Sequence, residues 1–162
     1  VEKPSRMELD YVLRRAVEAK AEYRPAPFLR VEVAGMCVNA DPDRLERVIG
    51  HLIQNAIEAT TPQGVVEVVL RRENQNAVIE VRDDGHGMSE EFMRTSLFKP
   101  FESTKRTGMG IGVYESREYI QDLGGRMHVT SREAAGTKFC IMLPLVISEA
   151  SEQVNEPLRR AL

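Results

Sequence analysis

Residues 81–112, VRDDGHGMSEEFMRTSLFKPFESTKRTGMGIG, constrain this chain more than any other stretch. They contain two glycine-rich turns, Asp83-Asp84-Gly85-His86-Gly87 and Gly108-Met109-Gly110-Ile111-Gly112. The segment between them carries Phe98, Phe101 and Lys105. Glycine loses more chain entropy on folding than any other residue, so such clusters belong where backbone bends sharply or approaches something closely. An acid precedes the first turn and a lysine the second, an arrangement suited to a nucleotide held at both ends.

The flanking patterns supply a scaffold. Residues 7–23 place Leu9, Val12, Leu13 and Ala16 at helical spacing, and Pro25 and Pro27 end that helix. Residues 28–33 alternate, and Gly35 predicts a hairpin onto residues 36–39. Asp41-Pro42 is a strong helix start, with an acid at the N-cap and proline in the first turn. Leu45, Val48, Ile49, Leu52, Ile53 and Ala56 then form an amphipathic stripe that closes at Thr60–Gly64. Strands follow over 65–71 and 77–83, the second pointing Ala77, Ile79, Val81 and Asp83 one way. Ser89 can cap a short helix, whereas 96–107 has no firm period and reads as a functional or disordered loop. A helix over 112–123 stops at Gly124-Gly125, and 126–131 with 137–143 reads as a second hairpin. The expected organisation is one domain over 1–147 and a polar tail over 148–162. Its fold class is a two-layer α/β (α+β) sandwich with a mixed, largely antiparallel sheet and helices on one face.

Size and charge agree with this reading. The 162 residues suffice for one domain with a real core. A net charge of −3 gives no electrostatic case for nucleic acid or an anionic membrane, so any anion binding must be local. No apolar run approaches the roughly 20 residues of a membrane span, and the start VEKPSRMELD lacks a signal-peptide apolar region. A cytoplasmic domain is expected. Cys37 and Cys140 lack metal-ligand spacing and read as buried thiols rather than a disulfide.

Asp83 is the most informative single residue. Sharing strand phase with Ile79 and Val81, its carboxylate faces the core side and needs a partner. An arginine or a backbone amide is the ordinary partner, and the amino group of a bound base the functional one. The glycine turn directly after it tips the balance to the base. Thr137 shares phase with Phe139, Ile141 and Leu143, which sets a hydroxyl on the same inner face. Asn55 lies at the edge of the helical stripe, with His51 one turn before and Glu58 three residues after. An ordinary polar rim explains that trio; so does an amide oxygen on Mg²⁺. A structural histidine accounts for His51 as well as a catalytic one does. The GxGxG run lacks the spacing of a dinucleotide fingerprint, and no Walker-type motif occurs. A glycine turn feeding a helix still exposes backbone N–H groups that can hold phosphate, with Lys105 and Thr107 beside it.

These motifs resemble a known set. HLIQNAIEAT (51–60) resembles an N box, DDGHGM (83–88) a G1 box, LFKPF (97–101) an F box and TGMGIG (107–112) a G2 box. Gly124-Gly125 and EAAGTKFCIMLP (133–144) are similar to the closing strands. Together, and in this order, they resemble the ATP-binding domain shared by sensor histidine kinases, gyrase, Hsp90-type chaperones and MutL, over about residues 7–144. The resemblance implies a Bergerat fold with an ATP lid, and ATP and Mg²⁺ as cofactors. Carried over, Asp83 receives the adenine amino group, directly and through water shared with Thr137, and Asn55 coordinates Mg²⁺. Gly85 and Gly87 allow close approach of the base. Lys105, Gly108, Gly110 and Gly112 hold phosphates. Ala59, Met88, Phe98, Thr107, Met109 and Ile111 complete the implied nucleotide-binding set, and His51 is the candidate catalytic residue.

The branch follows from one position. ATPases of this superfamily typically place a water-activating glutamate one turn before the asparagine, where this chain has His51. That favours the histidine-kinase branch, as does LFKPF; residues 109–120 further resemble kinases of the PrsK type. The three histidines, His51, His86 and His128, lack the context of a phosphoacceptor. The expectation is therefore a catalytic domain that phosphorylates a histidine on a dimerisation domain outside this chain, with a response regulator as indirect partner and neither nucleic acid nor membrane contacted. The alternatives are an ATP-gated conformational module of the gyrase, chaperone or MutL type, and a nucleotide-binding interaction domain without turnover.

Overall fold

The computed structural model describes residues 4–100 and 112–146. Its organising helix is α2 (Pro42–Ala59), which begins as the sequence dictates: the Asp41 carboxylate accepts the Arg44 N–H at 3.0 Å, and Pro42 occupies the first turn. Leu45, Val48, Ile49, Leu52, Ile53, Ala56 and Ile57 are all buried, so the expected stripe is the face α2 turns to the core.

That face lies on a five-stranded sheet. The strands are β2 (Phe28–Val31), β4 (Val66–Glu73), β5 (Asn76–Asp83), β6 (Arg126–Arg132) and β7 (Gly136–Pro144), in the order β2-β4-β5-β7-β6. Every neighbouring pair is antiparallel except β2 with β4. Val66, Val68 and Leu70 of β4, Ala77, Ile79 and Val81 of β5, and Phe139, Ile141 and Leu143 of β7 point to the helices and are buried. Each large aliphatic side chain buried there contributes about 1.5–3 kcal/mol. Helices α1 (Leu9–Glu18) and α2 cover β2, β4 and β5, and α4 (Val113–Asp122) covers β6. The remaining helix, α3 (Glu90–Thr95), is capped by Ser89, whose hydroxyl accepts the Phe92 N–H at 3.1 Å. The mixed sheet with helices on one face is the expected architecture.

Two expectations near the start are corrected. Residues 28–33 and 36–39 do not form a hairpin: β2 pairs in parallel with β4, and β3 (Cys37–Ala40) pairs with β1 (Ser5–Glu8) in a separate two-stranded sheet. Gly35 does turn the chain, at φ +80°, but its N–H goes to the buried Asp10 carboxylate rather than into a hairpin ladder. The first helix is also shorter than residues 7–23. Glu8 is still extended because Ser5–Glu8 is held by β3, and the far end loosens through i→i−3 bonds at Lys20 and Ala21. At the other end of the domain, the Val146 N–H donates to the Cys37 carbonyl at 2.9 Å.

The outer face of the sheet is charged. Arg30, Glu67, Arg82, Glu80, Arg71 and Glu73 alternate in sign across β2, β4 and β5, linked at 3.4 Å (Arg30–Glu67), 3.8 Å (Arg82–Glu67), 3.2 Å (Arg71–Glu80) and 2.9 Å (Arg71–Glu73), with Arg82 also on Glu80. Burial pushes the Glu80 carboxyl up, but Arg82 and Arg71 together outweigh it and leave the group below the usual carboxylate range. Cys37 and Cys140 are free, but half-buried rather than buried. No described helix is long and apolar enough to cross a membrane. The tail 148–162 lies outside the described residues.

Candidate functional site

Asp83 is the last residue of β5, on the helix-facing side and half-buried. Its Oδ1 accepts the Gly85 N–H at 2.9 Å, and the Thr137 backbone N–H also donates to the carboxylate. Among the described residues no arginine or lysine pairs with it. Burial pushes its carboxyl above the ordinary range, and the two amides offset that only in part. An ionised carboxylate has about four lone-pair positions, so two backbone donors leave it accepting capacity for a further group.

The glycine turn after Asp83 is fixed by its own backbone. A Cβ on Gly85 would collide with the Ala59 carbonyl at the end of α2, and that same oxygen accepts the His86 N–H at 3.0 Å. Gly87 sits at φ +68°, and a Cβ there would collide with the Arg132 carbonyl. The His86 carbonyl accepts the Ala134 N–H at 2.7 Å. These glycines therefore serve a close passage between the end of α2 and the β6–β7 turn. Asp84 clamps the other side: its Oδ1 accepts the Val65 N–H at 2.8 Å, and its N–H donates to the Val65 carbonyl at 3.3 Å.

Beside Asp83 runs a row of polar residues. Thr137 is its register partner on β7, and Ser131 is the register partner of Thr137 on β6. The two hydroxyl oxygens lie 2.7 Å apart, and Ser131 Oγ also accepts the Met88 N–H at 2.8 Å. Gly136, at φ +96°, lets the hairpin lie on the Asp83 carbonyl, where a Cβ would collide.

On α2, Asn55 Nδ2 lies 3.2 Å from His51 Nε2, one turn before. When Nδ2 donates to Nε2, that histidine is neutral and carries its proton on Nδ1, and the amide oxygen is turned to the opposite side. Ala59, whose carbonyl receives the turn, is one turn further along. Glu58 accepts the Gln54 amide at 3.2 Å.

The structure thus joins Ala59, Asp83, Gly85, Gly87, Met88 and Thr137 in one hydrogen-bonded and close-packed unit, with Asn55 and His51 upstream on the same helix. Met88 and Phe98 pack against the core, and the Arg117 guanidinium stands 4.0 Å over the Phe98 ring. Gly112 is the N-cap of α4. Lys105, Thr107, Gly108, Met109, Gly110 and Ile111, with the expected lid, lie outside the described residues. Asp84, Ser131 and Gly136 are members the sequence reading passed over. Ser131 was findable, because it shares strand phase with Met127 and Val129 and is a hydroxyl on an otherwise apolar face.

Chemically, the row offers acceptors to a donor-bearing ligand edge. Among the described residues no three His, Cys, Asp or Glu side chains cluster as a metal site. A single amide oxygen from Asn55 fits an ion such as Mg²⁺, which keeps several waters and takes other oxygens from a phosphate ligand.

Comparison with known proteins places this arrangement. Residues 40–147 match the family described as histidine kinase-, DNA gyrase B-, and HSP90-like ATPase. Sporulation kinase C of Bacillus subtilis is 34% identical over 114 residues, covering 70% of this chain and 26% of that protein. The sensor histidine kinase ZraS of Escherichia coli K12 is 33% identical over 116 residues, 72% of this chain and 25% of that one. The chain therefore spans about a quarter of the length of the curated relatives it matches. Among solved structures, the catalytic domain of histidine kinase ThkA superposes with a TM-score of 0.74 at 27% identity, covering 88% of this chain and 95% of that one.

Proposed function

The chain belongs to the family of histidine kinase-, DNA gyrase B- and HSP90-like ATPases, and from that premise we propose that it is the ATP-binding catalytic domain of a sensor histidine kinase. In the intact protein it transfers the γ-phosphoryl group of ATP to a histidine on a dimerisation domain outside this chain, and a response regulator receives the group afterwards. The observation that carries the reading is the Asp83 carboxylate: half-buried, beside a glycine turn and, among the described residues, bonded by backbone amides with no arginine or lysine paired to it. A half-buried acid with no cation paired to it among the described residues has spare capacity to accept from an adenine amino group.

In this mechanism the domain positions reactants and neutralises charge. Asp83 and Thr137 orient the base; Ala59, Gly85, Gly87, Met88 and Phe98 shape its surroundings. Lys105 and Thr107 with the 108–112 turn hold phosphates through side-chain charge and backbone N–H groups. Asn55 would hold Mg²⁺, which supplies charge neutralisation at the phosphate oxygens. His51 acts as a positioning residue, supported by its bond to Asn55. Its place one turn before Asn55, where an acid would activate water, favours phosphoryl transfer over hydrolysis. The PrsK-type likeness of residues 109–120 supports a place among the sensors linked to exopolysaccharide and protein sorting, with the domain on the cytoplasmic side.

Calorimetric titration with a non-hydrolysable ATP analogue, with and without Mg²⁺, tests the reading. Binding in the micromolar range, strengthened by Mg²⁺, is expected. A folded protein that binds no nucleotide rules it out, and nucleotide-driven self-association would shift it to the gyrase or chaperone mode of action.

A further inference from the structure

The hydroxyl pair beside Asp83 has a bonding pattern that favours one direction. Ser131 Oγ accepts the Met88 N–H at 2.8 Å and donates its single proton to the Gly136 carbonyl at 3.0 Å. It nevertheless lies 2.7 Å from Thr137 Oγ1, and both hydroxyls are buried. A Ser131 proton placed on the Gly136 carbonyl puts the proton between the two oxygens on Thr137. Thr137 therefore donates away from Asp83, and what it keeps are acceptor lone pairs. Asp83, on the neighbouring strand and the same face, accepts as well.

We propose that Ser131 is a specificity-determining positioning residue: by taking the Thr137 proton it makes the Asp83–Thr137 end of the site accept only, so that the site selects a base bearing an exocyclic amine and rejects its 6-oxo counterpart. The inference rests on the nucleotide reading above. A 6-amino purine, or a water bridging from it, supplies protons to both acceptors. A 6-oxo purine presents another acceptor and leaves buried lone pairs facing one another, which is where hydrogen-bonding sites discriminate most strongly. Met88 shares the device. Its N–H occupies Ser131 from the glycine turn, so the turn and the hydroxyl pair set each other's geometry.

The test compares non-hydrolysable analogues of ATP and inosine triphosphate by calorimetry on wild type, Ser131→Ala and Ser131→Thr. In Ser131→Ala the Thr137 hydroxyl is released to turn its proton toward the base. The preference for ATP over inosine triphosphate should narrow about tenfold, and Ser131→Thr, which keeps the acceptor, should restore it. Equal weakening of both nucleotides in Ser131→Ala would show that Ser131 only supports the turn, and would overturn the inference while leaving ATP binding intact. Wild type that binds neither nucleotide would instead remove the nucleotide reading and the inference with it. If Ser131→Ala does not fold, Ser131→Cys, whose thiol is a weak acceptor, makes the same comparison.

Discussion

Glu80 and Asp83 lie on one strand and on opposite faces of the sheet, and the protein treats these two carboxylates in opposite ways. Glu80 is the more buried, its side chain 3% exposed, yet two arginines hold it ionised and below the ordinary range. Asp83 is only half-buried, pairs with no arginine or lysine among the described residues, and is pushed above that range. The outer face thus satisfies its acid completely from within. The inner face gives its acid backbone amides but, among the described residues, no cation at the place where the apolar layer ends. An acid met by two arginines is explained by the fold itself; a half-buried acid raised above its ordinary range beside a glycine turn is a candidate ligand site.

The largest effect should come from the structural acid. Glu80→Ala removes the shared acceptor of Arg71 and Arg82, whose side chains are 29% and 42% exposed and can partly rehydrate. Urea denaturation should show a loss of about 2–3 kcal/mol, at or below the lower end for a broken buried pair. A negligible loss would collapse the contrast. Asp83→Asn should behave in the opposite sense: affinity for the ATP analogue falls by about 1.4 kcal/mol or more, roughly tenfold, while stability to urea does not fall. Destabilisation by Asp83→Asn would mean that this acid too is structural.

The contrast sharpens with pH. The raised Asp83 group contributes stability fully below its ordinary value of about 4, and the contribution is lost as pH rises through its folded value. Asp83→Asn should therefore gain on wild type as pH rises across that window in the unliganded protein. The lowered Glu80 group does the reverse, its contribution present above about 4 and lost as pH falls through the depressed value. Glu80→Gln should therefore come closest to wild type in acid, as read from urea midpoints between about pH 3 and about pH 6. The smallest effect belongs to the exposed Arg30–Glu32 pair, 47% and 43% exposed, where Glu32→Gln should change stability by no more than about 0.5 kcal/mol.

Much of this was readable without coordinates, for local reasons. The stripe on α2 and the alternation on β5 are short-period signals, and they placed Asp83 and Asn55 correctly on inner face and helix edge. What failed was non-local. Phe28–Val31 looks the same whether it pairs with β3 or with β4, and the parallel pairing of Phe28 with Glu67 through Val31 with Leu70 leaves no mark in either segment. Ser5–Glu8 is charged and short, so only its partner makes it a strand. Glu80 carries no sign in its own alternation that arginines on two strands converge on it. The glycines were legible as close approaches, but their immediate neighbours are the chain's own carbonyls at Ala59 and Arg132. Ser131 was visible by phase but meaningless until its three hydrogen-bond partners were known.

Strand β3 has a mechanical consequence. It holds β1 along four register pairs, with Ser5 opposite Ala40, and its Cys37 carbonyl also receives the Val146 N–H. Both flanks of the described domain are thus tied to one short strand, and Ala40 leads directly into the Asp41 cap of α2. The far flank is also held by the large sheet, since β7 runs to Pro144 and the Leu145 N–H donates to the Gln75 carbonyl at 3.0 Å. From β3 the chain passes without a break into the helix that carries His51 and Asn55, so β1, the Val146 amide and the start of that helix share one anchor.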